Sequence, residues 1–207
     1  MASLMIHMAV AVEINKVIKK DYEKLLFGAV APDISKIIKE GRNRAHFIDK
    51  ENSNIPNLNN FLNKYKNNLE DDFVLGYYIH LYTDYLWYKH FYPRFYDLNK
   101  QIIKLHNGDN IPYNYDEFLK YAYIDFTSLD SSLKEYYDVD VNAIYNTSYK
   151  SNIIEEINFK KIDEFKNWLK KLYDNSTKKE CILFDFNDVK DFISSSVNII
   201  LADLRKN

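Results

Sequence analysis

The sequence of 207 residues is poor in cysteine, glycine and proline, and each shortage excludes a class of structure. A single cysteine, Cys181, cannot form an intramolecular disulfide or a thiol-rich zinc site, so any metal must be held by His, Asp, Glu, water or main chain. Four glycines and four prolines interrupt the chain at few places, which favours long helices. No apolar run approaches the roughly 20 residues that span a bilayer.

Net charge is also small, because 28 Lys and Arg nearly balance 30 Asp and Glu. The near-neutral sum gives no electrostatic reason to expect a dedicated nucleic-acid or anionic-membrane partner. The apolar N-terminal stretch has no basic leader region and runs directly into an amphipathic segment, so it does not resemble a signal peptide. We therefore expect a cytoplasmic protein without a transmembrane segment.

The length suits one well-cored domain that covers residues 1–207. Apolar residues recur at helical spacing, and 18 Tyr and 13 Phe suit helices that pack through aromatic side chains. The pattern predicts helices at residues 3–20, 34–40, 57–68, 71–91, 93–105, 115–135, 151–173 and 187–205. The predicted fold class is all-α, a single compact multi-helix bundle.

The stretch from Gly76 to Asp84 contains the pair that is most informative about function. His80 and Asp84 are four residues apart on an otherwise apolar helix, so their side chains share one face. A buried aspartate is costly unless it is paired or coordinates a cation. The pair therefore predicts a metal site.

Other histidines and aspartates lie in apolar or loop-edge contexts, namely His7, His46, His90, Asp33 and Asp49. Each histidine taken singly is at least as typical of a hydrogen-bonded core residue as of a ligand. Asp33 follows an apolar run and a proline, so it either caps the next helix or binds a metal. Asp49 either orients the imidazole of His46 or faces solvent.

The order of these motifs resembles the bacterial zinc-dependent phospholipase C family, whose fold is related to that of single-strand nucleases. The resemblance covers about the first 90 residues and rests on His7, Gly-Ala-Val-Ala-Pro-Asp33, Ala-His46-Phe, Gly-x-x-x-His80-x-x-x-Asp84 and His90. In that family an all-helical core holds up to three zinc ions, which bind the phosphate of a phosphodiester and activate a water. The resemblance thus implies a metal cluster between the helices.

Carried over to this chain, the resemblance implies one metal site formed by Asp33, His46, His80 and Asp84. His7 would bind a second ion, with Asp84 as the bridge, and His90 would be the first ligand of a third. Helical rise separates His90 from His80 by about 15 Å, too far for the two to share one ion. We expect two zinc ions, with a third left open and another divalent transition metal as an alternative.

The sequence also departs from the family pattern. Secreted members complete the second site with an N-terminal tryptophan, whereas this sequence starts with Met1. A His-x-x-x-Glu pair completes the third site in the family, and nothing after His90 matches it, although Asp109 or Asp125 could substitute. The HD-type phosphohydrolases, which are also helical and metal-dependent, need a His-Asp dipeptide that no histidine here provides.

These observations predict a metal-dependent phosphoric ester hydrolase, a phospholipase C-like phosphodiesterase that uses metal-activated water. Asp33 doubles as the candidate general base. The expected substrate is a phosphoester small molecule or a lipid head group. The alternative is a non-catalytic helical binding protein with a structural or decayed metal site, and a nuclease is a third hypothesis that the absence of a basic groove disfavours.

Overall fold

The computed structural model of the chain describes residues 1–38, 41–49, 54–174 and 179–206. Within these residues the helices are α1 (Leu4–Ile18), α2 (Tyr22–Gly28), α3 (Ile34–Ile38), α4 (Arg42–Ala45), α5 (Leu58–Tyr65), α6 (Asp72–Leu86), α7 (Tyr115–Tyr136), α8 (Asn142–Asn146), α9 (Ile162–Asp174) and α10 (Phe186–Leu204). Three short antiparallel strands, β1 (Tyr96–Asp97), β2 (Ile102–Lys104) and β3 (Asn110–Pro112), form a small sheet. The all-α fold class predicted from the sequence is confirmed.

Helices α1 and α6 run through the centre of the hydrophobic core, as 10 of the 15 residues of α1 and 12 of the 15 residues of α6 are buried. Their starts are fixed by side-chain caps: Ser3 accepts a hydrogen bond from the Ile6 amide of α1, and Asp71 accepts from the Phe73 and Val74 amides of α6. A helix that is apolar on all sides is stable only inside a core. The few polar side chains on these two helices are therefore enclosed by protein.

Two glycines let α2 and α6 cross with their backbones almost touching. A Cβ atom added to Gly28 would lie 2.1 Å from the Phe73 carbonyl oxygen, and one added to Gly76 would lie 2.1 Å from the Leu25 carbonyl oxygen. Only glycine leaves room for such an approach. The crossing brings the chain that follows α2 beside the middle of α6, where His80 lies.

The predicted helix at residues 93–105 is wrong. A 3₁₀ turn at Tyr92–Phe95 is followed by β1 and β2. Asp97 accepts hydrogen bonds from the Asn99 and Lys100 amides, and Gln101 has a positive φ of 52°, so the backbone turns instead of coiling. The β2–β3 hairpin closes through Gly108, whose φ is 91°.

The predicted helix at residues 151–173 begins too early. Ser151 Oγ accepts hydrogen bonds from the amides of Ile153 and Ile154, and Asn158 accepts from the amide of Lys160. These side-chain bonds occupy amides that a helix would need, so the α-helix starts only at Ile162.

The remaining predicted helices are present with shifted ends, and the predicted residues 39–40 of the second lie outside the described residues. The 71–91 helix changes into a π-helical turn at Trp87–Phe91. Helices α2, α4 and α8 were not predicted; each is seven residues or shorter, too short for a periodic apolar pattern to emerge. Among the described helices, none combines the length and apolarity that crossing a bilayer requires.

The α2–α6 crossing predicts that Gly76→Ala destabilises the protein by about 3 kcal/mol, because the new methyl group meets backbone that cannot rotate away. Gly108→Ala is the matched control: its Cβ would enter open space, so only the positive φ opposes it, at about 1 kcal/mol. Urea denaturation of both variants measures the two free energies of unfolding. Equal losses would contradict a close helix crossing.

Candidate metal centre

Four elements of the first 86 residues bring the candidate ligands together. His7 lies on α1, Asp33 ends a 3₁₀ turn at Ala31–Asp33, His46 directly follows α4, and His80 and Asp84 lie on α6. All five side chains are at most 1 % exposed. The Tyr77 hydroxyl of α6 donates a hydrogen bond to the Ala45 carbonyl and so fixes the end of α4 against α6.

Asp84 is at the centre of the cluster because its two oxygens face different imidazoles. Its Oδ1 lies 3.4 Å from His7 Nε2, whereas its Oδ2 lies 3.7 Å from His80 Nε2 and 4.0 Å from His46 Nε2. Asp33 Oδ1 lies 3.3 Å from His46 Nε2. The imidazoles of His7 and His80 stack with ring centres 3.7 Å apart.

Backbone carbonyls orient two of the imidazoles. His80 Nδ1 lies 2.8 Å from the Ala29 carbonyl oxygen, and His46 Nδ1 lies 3.1 Å from that of Arg42. A carbonyl only accepts hydrogen bonds, so each Nδ1 is the protonated donor and each Nε2 presents a lone pair to the cluster. Metal-ligating histidines are held in this way.

Buried polar atoms without hydrogen-bond partners converge in this cluster. Of the seven such atoms in the described part of the chain, six lie here: both ring nitrogens of His7, Nε2 of His46 and of His80, Oδ1 of Asp33 and Oδ2 of Asp84; the seventh is Trp87 Nε1. Each unpaired buried polar group costs about 1–3 kcal/mol. One nitrogen of a neutral His7 imidazole carries a proton, and divalent cations would satisfy the remaining acceptors together, so the side chains fit a metal.

The atoms divide into two sets of three residues with ligand atoms within 4.8 Å of one another. One set is His7, His80 and Asp84, and the other is Asp33, His46 and His80. Nitrogen and carboxylate oxygen donors in this mixture suit zinc and other transition metals.

The ionisation states match what a metal requires. Burial favours the neutral carboxyl of Asp84, but His7, the Met1 amino group and His80 together outweigh burial and hold the pKa of Asp84 well below its ordinary value. Burial also opposes ionisation of Asp33, and the Lys36 ammonium, followed by His46, outweighs it and lowers that pKa. Burial and then His7 lower the pKa of His80. Ionised carboxylates and neutral imidazole are the ligand forms.

A comparison with known protein families identifies the chain. A family model described as zinc dependent phospholipase C matches residues 4–182 of the 207. The chain belongs to this family. No curated protein and no solved structure gives a significant match. The match to the zinc-dependent phospholipase C family therefore extends far beyond the first 90 residues, on which the resemblance in the sequence rested, and includes α7 and α9.

The predicted ligands of a third ion lie outside the cluster. His90 is exposed, on the π-helical turn that follows α6. Asp109 is exposed in the β2–β3 turn, where it accepts a hydrogen bond from the Asn107 side chain. Asp125 accepts hydrogen bonds from three successive backbone amides, those of Ile182 to Phe184, and so fixes the chain that leads into α10. The described residues bring no second cluster around these three.

The structure decides between the alternatives left open for two aspartates. Asp33 is not a helix cap: its Oδ2 accepts a hydrogen bond from Lys36 Nζ at 2.7 Å and its Oδ1 faces His46. Asp49 binds the side-chain amides of Asn57 and Asn60, whereas the Arg42 carbonyl orients His46.

A cavity of about 280 Å³ borders the cluster and was not predicted from the sequence. Its lining includes residues 1–4, Lys36, Asp130 and the largely apolar side chains Tyr92, Leu119, Tyr123, Phe126 and Trp168. The Ala2 amide donates to Asp84 Oδ1 at 2.9 Å, so the cavity wall touches the cluster. Asp130, next to the buried Leu129 of α7, belongs to no sequence motif. Only its charge among apolar residues of the helix could have pointed to it.

Zinc added to metal-free protein is expected to stabilise it by about 3 kcal/mol at a free concentration near 100 times Kd, a rise in Tm of roughly 6–12 °C. His80→Ala and Asp84→Ala should abolish the rise because each removes an atom from the convergent set. Thermal unfolding with and without zinc measures this. His106→Ala, an exposed histidine, is the matched control and should keep the full shift; a shift that persists in the two cluster variants would contradict the site.

Asp130 predicts a pH dependence of stability. Burial raises the pKa of its carboxyl from 3.8 to about 7, against the Ser3 hydrogen bond and the Lys36 charge. The native state then holds this proton more tightly than the unfolded chain, so stability falls as pH rises from about 4 to about 7. Asp130→Asn should remove roughly 2–4 kcal/mol of that fall. Denaturation midpoints at pH 4, 5.5, 7 and 8 measure it, and parallel pH profiles for parent and variant would contradict it.

Proposed function

We propose that this protein is a metal-dependent hydrolase of phosphoesters, with Asp33, His46, His80, Asp84 and His7 as the metal ligands. The observation that carries the proposal is the convergence of unpaired, fully buried imidazole and carboxylate atoms in a member of the zinc-dependent phospholipase C family. Such atoms raise the free energy of the native state unless a cation binds them. Their presence in the core supports a function of the cluster besides folding.

Asp84 would contribute to both sets of ligands, because its Oδ1 lies toward His7 and its Oδ2 toward His80 and His46. Divalent ions at such a site neutralise phosphoryl charge and lower the pKa of a water to near neutrality. The chain itself supplies orientation: carbonyl-bound imidazoles and a cluster closed to solvent keep the donor atoms in place. Asp33 would ligate through Oδ1, and Oδ2, which accepts a hydrogen bond from Lys36 but has a second lone pair, would be the general base.

The cavity supports a substrate that carries an apolar group beside its phosphate. Aromatic and aliphatic walls bind hydrocarbon by excluding water, and Ala2 and Lys36 connect those walls to Asp84 and Asp33. Both the lipid head group with its chains and a small apolar phosphoester meet this description. We therefore propose that the protein cleaves a phosphoester bond and that the cavity binds the apolar group of the substrate.

One observation favours the second candidate, a non-catalytic helical protein with a structural metal. The five ligand side chains are at most 1 % exposed, and a site closed by four protein groups has no coordination position for substrate. Asp84 Oδ2 lies 4.0 Å from His46 Nε2 and 3.7 Å from His80 Nε2, so with Asp84 the set around His46 becomes a group of four, whereas the set around His7 has three. The hydrolase and the structural-metal candidate therefore differ in whether the metal-loaded protein hydrolyses a phosphoester.

The test is hydrolysis by zinc-loaded protein of bis(p-nitrophenyl) phosphate, p-nitrophenyl phosphate and dihexanoyl phosphatidylcholine. We expect turnover of at least one phosphodiester, with a loss of about a hundredfold or more in kcat/KM for His80→Ala and Asp84→Ala, since each removes charge stabilisation of the transition state. Product release is measured together with metal content by elemental analysis.

His106→Ala, with its exposed imidazole in the hairpin turn, is the control and should match the parent. Bound zinc without turnover of any substrate would select the structural-metal candidate. Protein that binds no zinc after reconstitution would overturn both.

A further inference from the structure

Lys36 is a cation placed between the ligand cluster and the cavity. Its Nζ donates to Asp33 Oδ2 at 2.7 Å, and its side chain is 28 % exposed and lines the cavity wall. An ammonium has three donors. Its hydrogen bond to Asp33 uses one of these donors, which leaves the ammonium with donors to offer to a ligand in the cavity.

The charges around the cavity are sparse. Of the described residues that line it, Lys36 is the only one with a basic side chain and Asp130 the only one with an acidic side chain. Met1 also lines the cavity, and burial lowers the pKa of its amino group to about 5, so that group is largely uncharged near neutral pH. The carboxyl pKa of Asp130 is raised to about 7 by burial, so much of its charge is absent near neutral pH. An anionic ligand in this cavity therefore meets a positive charge at the end that adjoins Asp33.

The fold holds Lys36 in this place. Lys36 is three residues after Asp33, on the first turn of α3, so the short 3₁₀ turn that delivers Asp33 to His46 also fixes the position of the lysine. The Ser35 hydroxyl, between them, donates to the Pro32 carbonyl at 2.7 Å and ties α3 to that turn. Movement of Lys36 relative to the cluster is thus limited to its own side chain.

We propose that Lys36 binds a phosphoryl oxygen of the substrate and is the residue that selects an anionic phosphoester entering from the aromatic cavity. This inference rests on the proposed function and names a binding residue for it. Lys36 retains its bond to Asp33 through one donor and gives a second donor to the substrate. Charge-assisted hydrogen bonds to phosphate are among the stronger polar contacts in proteins.

A purely structural role makes a different prediction. If Lys36 only offsets the buried charge of Asp33, then its removal weakens zinc binding and native stability and leaves the affinity of the zinc-loaded site for anions unchanged. Anion affinity measured at full zinc occupancy therefore distinguishes the two roles.

The experiment compares the parent with Lys36→Met, which keeps the length of the side chain without its charge, and Lys36→Arg, which keeps the charge. Lys16→Met is the matched control, because Lys16 also bonds a carboxylate three residues away, Glu13, on the surface. Each zinc-loaded protein is titrated with inorganic phosphate by calorimetry, after elemental analysis of its zinc content, and is assayed for kcat and KM with the phosphodiester that the parent hydrolyses.

We expect Lys36→Met to keep its zinc and to bind phosphate at least tenfold more weakly, with a matching rise in KM. Lys36→Arg should lie within about threefold of the parent, and Lys16→Met should not differ from it. Zinc retained with phosphate affinity within twofold of the parent would overturn the role of Lys36 and leave the proposed function standing. Zinc lost from Lys36→Met alone would also overturn it, in favour of the structural role; a parent that binds no zinc would overturn the proposed function itself and this inference with it.

Discussion

Two carboxylates buried in an apolar helical core are the constraint on which the rest of this structure depends. Asp33 and Asp84 are fully enclosed, and an unpaired buried charge is among the most costly groups that a fold can contain. Lys36 pairs with Asp33 Oδ2 and the Ala2 amide with Asp84 Oδ1, whereas Asp33 Oδ1 and Asp84 Oδ2 face imidazoles without a hydrogen bond. The helices and the 3₁₀ turn around this cluster therefore hold carboxylate and imidazole atoms that bound cations would balance.

The α2–α6 crossing is how the fold meets this constraint. Glycines at 28 and 76 allow the two backbones to approach so closely that the Ala29 carbonyl reaches His80 Nδ1. The same approach directs the chain through the Pro32 turn, which delivers Asp33 and then Lys36 to the cluster. Close backbone packing thereby sets the tautomer of one imidazole and the position of one carboxylate in the candidate metal centre.

The chain belongs to the zinc-dependent phospholipase C family, and two features of its own residues stand out: the cavity beside the cluster and the positions of the candidate third-ion ligands. The cavity beside the cluster joins apolar walls to a single lysine at the end nearest Asp33. An apolar pocket with one convergent cation is suited to a molecule with a hydrocarbon part and an anionic part. His90, which the family pattern suggests for a third ion, is exposed, as is its possible substitute Asp109, and the other substitute, Asp125, binds backbone amides, so the described residues do not gather these ligands.

The long helices α7 and α10 could be predicted because their apolar residues recur at helical spacing, and α1 and α6 because each is a largely apolar run of 15 residues without proline. The structure of the stretch after Pro93 could not be predicted, because its apolar content is typical of a helix. Its backbone turns instead, through the hydrogen bonds to Asp97 and the positive φ angles of Gln101 and Gly108. Short helices such as α2 and α8 exist through tertiary packing, which outweighs weak local preference.

The sequence by itself determined the fold class and which side chains meet at the cluster, since His80 and Asp84 share a helical face and His7, Asp33 and His46 follow the order of a known family. Tertiary structure alone decided that His90 is exposed, away from the cluster. It also decided that Asp33 pairs with Lys36 instead of capping a helix, and that the Arg42 carbonyl, not Asp49, orients His46. The physical reason is that ligand spacing within one helix is fixed by helical geometry, whereas contacts between elements depend on how closely their backbones can pack.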